Sequence, residues 1–253
     1  MILPKSSPVK SPPPSAPVSD LMDAATAVFR ATLAKSLPIA MFAILFALLP
    51  NMYWMTTGRA MDLLHPPTEP TFWVLSLLGF ALYQALAGML MLRQRAIAAG
   101  GAPEFQIELA GAVARWPMLI LTAVLAGLAV FVGTFALVIP GVFLLVCFLL
   151  LRPVVLFETA DPIQALIRCV RLVQPIWVKV LAAAVIALLV FAVCVLAAGA
   201  CLQLAQAAFG MMGVPSPASA AIAAACALGI QAIALVYLNS LWLVLYSAAS
   251  SSA

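Results

Sequence analysis

Thirty-six consecutive residues, Trp116–Leu151, carry no formal charge, and none follows Lys179 through Ala253. As a single α-helix the first run would be about 54 Å long, against a bilayer hydrocarbon core of about 30 Å. Ile139-Pro140-Gly141 supplies a break that turns the run into two antiparallel spans. Charge is scarce everywhere else too. Twelve Lys/Arg and eight Asp/Glu make up 8% of the 253 residues, where soluble domains carry roughly 25%. Such a surface cannot be solvated by water, which excludes an ordinary cytosolic enzyme and a disordered chain. Lipid is the expected solvent.

The remaining segments follow the same logic. Residues 1–19 are rich in proline and serine and read as a disordered tail without the apolar core of a signal peptide. The expected fold is all-α and polytopic, a single transmembrane domain over 20–253. Its six spans are placed at about 37–57, 71–92, 117–138, 142–158, 176–202 and 219–247. The short 142–158 span carries Arg152-Pro153 near its end, so a re-entrant segment is an open alternative. Short amphipathic helices are expected at about 20–35, 103–115 and 161–175, lying in the membrane interface. Asp20 is the expected cap of the first. In the third, Asp161 caps and Pro162 takes the first helical position. Ile163, Leu166, Ile167, Val170 and Val173 form its apolar face, opposite Gln164, Arg168 and Arg171.

Charge placement sets an orientation. Alternating the connections puts eleven of the twelve basic residues on one side and leaves Arg59 alone on the other. The positive-inside rule then places both termini in the cytoplasm. The net charge of +4 is dispersed between apolar stretches, so no nucleic-acid partner is expected. The five cysteines form no Cys-x-x-Cys pair and read as small hydrophobes rather than metal ligands or disulfides.

Three segments share a pattern of acidic or proline-marked start, arginine-bearing helix and proline-opened span. They are Asp20…Arg30…Pro38, Glu104…Arg115-Trp116-Pro117 and Asp161-Pro162…Arg171…Pro175. Three copies of an interfacial helix plus transmembrane hairpin would produce it, as would the general habit of placing arginine and proline where spans begin. The stretch from Ile139-Pro140-Gly141 through Arg152-Pro153, Glu158, Ala165-Leu166, Arg168 and Leu172 to Ile176-Trp177 is the most distinctive. It resembles a group of uncharacterised bacterial six-span membrane proteins related to the membrane domain beside some glycerophosphoryl diester phosphodiesterases. Cys169 stands where that pattern has serine. The resemblance implies a bacterial cytoplasmic (inner) membrane location. It implies no activity, because the phosphodiesterase of those relatives is a separate soluble barrel.

Ionisable residues inside spans are the natural place to look for function. Arg152 and Glu158 stand six residues apart, about 120° out of phase on a helix, so they form no i, i+4 pair. Arg152 either snorkels to the interface or finds a buried partner or lipid headgroup. Arg152, Arg168 and Arg171 are candidate headgroup contacts, and Gln84, Glu158, Gln231 and Asn239 are candidate intramembrane polar contacts. Two small-residue rows, Ala221/Ala225/Gly229 and Ala129/Gly133, suit close helix packing. Histidine pairs, phosphate-binding loops, nucleophile elbows and intramembrane carboxylate pairs are missing. The expectation is a non-enzyme without cofactor, working as a structural or accessory component for other membrane or envelope proteins. Its partners would be the bilayer and a membrane-protein partner or a second copy. The alternative is a carrier or flippase-like protein for a lipid or other amphipathic substrate.

Overall fold

The computed structural model describes residues 16–56, 69–136, 138–158, 161–211 and 216–251. The chain is an all-α polytopic membrane protein. Among the described residues there is no strand, and six helical stretches are long and apolar enough to cross a bilayer. The helices are α1 (Val18–Ala47), α2 (Leu49–Thr56), α3 (Pro70–Ala98), α4 (Phe105–Ala136), α5 (Val138–Phe148), α6 (Leu151–Phe157), α7 (Pro162–Val173), α8 (Trp177–Met211) and α9 (Ser216–Ser250). Most of the proline-rich tail, the connection holding Arg59 and His65, and the centre of the turn before α9 lie outside the described residues.

Two of the three expected interfacial helices are not separate elements. The 20–35 segment runs on without a break into α1, and the 103–115 segment into α4, with Pro38 and Pro117 in helix interiors. In α1 the reason is a continuous buried row: Leu21, Ala25, Val28, Thr32, Ser36, Ile39, Ala40 and Ala43. That row crosses the expected join at unbroken helical spacing, and its packing outweighs the one hydrogen bond Pro38 removes. The helix starts at Val18 with Pro17 as N-cap, so Asp20 sits in the first turn instead of capping it. The third segment does separate. Asp161 accepts hydrogen bonds from the backbone N–H groups of Ile163 and Gln164, and a 3₁₀ turn at Gln174–Ile176 divides α7 from α8. The three-copy pattern therefore has one distinct helix among its three members.

The faces of α7 also differ from expectation. Ala165, Cys169, Leu172 and Val173 are buried against the protein, while Ile163 and Ile167 are exposed. Leu166 and Val170 pack in part against the same core, so one apolar edge of the helix turns inward and Ile163 and Ile167 are left free for lipid. The expected break at Pro140 is displaced as well. Pro140 and Gly141 lie in the first turn of α5, and Gly141 carries the closest approach of the hairpin. A Cβ there would stand 2.6 Å from the Thr134 backbone N and Cα. Gly133 shares this contact, whereas Gly229 faces open space, so of the two small-residue rows the α4 one packs.

The helices form a ring in which α9 packs between α1 and α8, α1 on α3, α3 on α4 and α4 on α5. The ring closes loosely between α5 and α8. At one end, α7 covers α4, α5 and α6. At that same end α3 stops in a Schellman turn: Gly100, at φ 80°, donates to the Ile97 carbonyl and Gly101 to that of Ala96. Large apolar side chains face outward along the rods, among them Leu77, Phe131, Phe135, Leu188 and Leu196. Their exposure suits hydrocarbon rather than water.

Candidate functional site

Pro153 creates the site by interrupting a helix. Lacking an N–H, it cannot bond the Leu149 carbonyl, and the rod divides between α5 and α6 at Leu149–Leu150. At the third position of α6 the missing N–H is one that no helix start can pair. The bend leaves Arg152 in the first turn of α6, turned into the ring.

There it meets two amides from distant parts of the chain. Arg152 Nη2 donates to Gln84 Oε1 of α3 at 3.0 Å, and Nη1 donates to Asn239 Oδ1 of α9 at 3.2 Å. The guanidinium carbon lies 5.5 Å from the centre of the Tyr83 ring. Gln84 and Asn239 are both buried, and Asn239 Nδ2 has no hydrogen-bond partner. No carboxylate among the described residues pairs with Arg152. Along α6, Arg152 stands six residues from Glu158, about 9 Å of helix rise, while Arg115 comes closer, its Nη1 donating to the Val155 carbonyl less than one turn away. A charged side chain inside a membrane-spanning bundle is costly, up to about 2.5–3.5 kcal/mol at a helix centre even on the lenient insertion scale. Two neutral amides supply hydrogen bonds but no countercharge.

Two neighbouring spaces lie at or near this group. A polar one of about 330 Å³ is lined by Arg152, Gln84, Tyr83, Thr122, Phe148 and Trp242. An apolar one of about 590 Å³ lies among α1, α3, α5, α8 and α9, and shares Tyr83, Leu149 and Trp242 with the first. Gln231 is on its wall, whereas Asn239, the other α9 amide singled out in the sequence, lines neither space and reaches the site only through Arg152. On the loosely closed side, the wall residues Val142, Leu145, Val185 and Leu188 are also exposed on the outer surface. The apolar chamber thus opens sideways, toward hydrocarbon.

The other candidate arginines stand elsewhere. Arg168 Nε pairs with Glu158 Oε2 at 2.7 Å, and the Tyr246 hydroxyl donates to Glu158 Oε1 at 2.8 Å. Arg171 and Arg168 line a surface pocket of about 430 Å³ with Gln164 and Glu158. The three arginines are therefore two sites, one internal and one peripheral.

No family model, curated protein or solved structure matches this chain.

Sequence reasoning missed several polar contacts between helices. Arg93 Nε pairs with Glu108 at 2.7 Å and Nη1 donates to the Lys35 carbonyl, with both side chains of the ion pair largely buried. Gln94 Nε2 donates to Ser240 Oγ and the Val236 carbonyl from a fully buried position. Arg93 and Glu108 flank the turn between α3 and α4, and that bracketing was the available signal. Gln94 and Ser240 left none, because each lies in a different helix with no spacing between them to read.

Proposed function

We propose that this chain binds an anionic amphiphile drawn from the surrounding bilayer, as a carrier or flippase-like protein rather than as a purely structural accessory. The observation that carries the reading is Arg152 itself. It is a charged donor deep in the bundle, held only by neutral amides beside the unpartnered Asn239 Nδ2, where a polar chamber meets an apolar one. An anionic group in the polar chamber would neutralise the guanidinium that lines it. The apolar remainder would lie in the larger chamber. A scaffold has no need of an internal arginine without a countercharge, and a closed apolar core would serve it better. On this reading the peripheral Arg168/Arg171 pocket meets headgroups at the membrane surface. The protein performs no covalent chemistry in this role. The distribution of basic residues supports an orientation with both termini cytoplasmic, and the family resemblance implies a bacterial inner membrane.

Lipid co-purification tests the reading. Protein extracted in mild detergent should retain an anionic amphiphile that Arg152→Gln loses and Arg152→Lys partly keeps. Retention unchanged in Arg152→Gln would refute it. A C-terminal reporter that reads as extracytoplasmic would refute the orientation.

A further inference from the structure

We infer that the ligand has a single acyl chain: a fatty acid or single-chain phosphate ester rather than a two-chain phospholipid. This rests on the anion-site reading of Arg152 and adds the shape of the apolar part. An apolar cavity of about 150 Å³ accommodates one six-carbon benzene ring, so roughly two dozen carbons fit in the apolar chamber at the same density. Its volume is about 590 Å³. Chains that fill one leaflet of a ~30 Å hydrocarbon core have about 16 carbons. One such chain fits inside with room for its bends. Two do not.

The lining agrees with the count. Leu181, Leu188, Phe191, Leu235 and Leu238 make the wall almost wholly aliphatic or aromatic. The chamber adjoins the polar space, with Tyr83, Leu149 and Trp242 bordering both. An occupant entering between α5 and α8 therefore finds an apolar volume for its chain with the space that holds Arg152 beside it. The headgroup chemistry is a compact anion able to accept from Arg152, which a carboxylate or a phosphate monoester provides equally.

Binding to the purified full-length protein in nanodiscs of neutral lipid separates the possibilities. The probes are radiolabelled palmitate, hexadecyl phosphate, hexadecanol and dipalmitoyl phosphatidic acid, each at equal mole fraction. Palmitate, hexadecyl phosphate or both should saturate at one per protein, and which of the two binds identifies the headgroup. Hexadecanol should bind at least tenfold more weakly. Arg152→Gln should weaken the anionic probes at least tenfold. Ala184→Phe, which projects a ring into the chamber while leaving the arginine untouched, should reduce their binding at least fivefold. Elution volume and helical circular dichroism would verify that both variants fold. If dipalmitoyl phosphatidic acid binds as tightly as the single-chain anions and with the same dependence on Arg152, the single-chain inference fails and the anion site stands. If no anionic probe depends on Arg152, both fail together.

Discussion

Glu158 lies six residues beyond Arg152, yet both of its carboxylate oxygens are given to other partners, one to Arg168 and one to Tyr246. A pairing of Arg152 with Glu158 would have closed the polar chamber with an internal ion pair. The bend ahead of Pro153 instead sends the arginine inward, while the carboxylate stays at the α7 end. The bundle thus keeps an arginine whose countercharge must come from outside the described residues.

The two ion pairs should respond very differently to neutralisation. Arg93–Glu108 has side chains only 12% and 5% exposed, against 38% and 23% for Arg168–Glu158. Glu108→Gln leaves a buried guanidinium uncompensated and should destabilise by about 3 kcal/mol. Glu158→Gln should cost less than about 1 kcal/mol, because water and headgroups screen that pair. Reversible unfolding in mixed micelles measures both, and equal losses would contradict the burial argument.

Gln84 and Asn239 should be needed only while Arg152 is present. Replacing Gln84 by Leu leaves a buried N–H without its acceptor and should cost about 1–3 kcal/mol in the native protein. In an Arg152→Met background the same change should be nearly neutral, since no donor remains to be satisfied. A double-mutant cycle reads the coupling directly. A coupling energy near zero would mean that the two side chains are neighbours without an energetic link.

Two glycines one helix apart make a further contrast. At Gly141 an added methyl would overlap the Thr134 backbone, whereas at Gly127 it would meet nothing within 4 Å. Gly141→Ala should force the α4–α5 hairpin apart and lower stability by about 1–3 kcal/mol. Gly127→Ala should be neutral or stabilise by up to about 1 kcal/mol through helix propensity. Thermal unfolding of the two variants side by side would show it.

The architecture was legible because lipid imposes a coarse rule: long uncharged runs must become helices, and the runs can be counted. Boundaries were less legible. Pro38 and Pro117 look like the openings of spans, but the buried row of α1 continues past Pro38 and sets the helix length by packing. At the site, Gln84, Arg152 and Asn239 were each recognisable as polar residues in apolar surroundings. Their meeting was not, since it joins three helices whose contact depends on the order of the ring and on the direction given by the Pro153 bend. Glu158 was grouped with Arg152 by proximity in sequence, and the fold assigns it to α7.

The sideways opening between α5 and α8 has a consequence for how occupancy is to be expressed. Val142, Leu145, Val185 and Leu188 face hydrocarbon, so whatever exchanges through them exchanges with the two-dimensional solution of the membrane. The governing concentration is then mole fraction in the bilayer. Diluting a suspension of membranes with buffer leaves occupancy of a poorly water-soluble ligand unchanged, whereas diluting the membrane itself with neutral lipid empties the chamber.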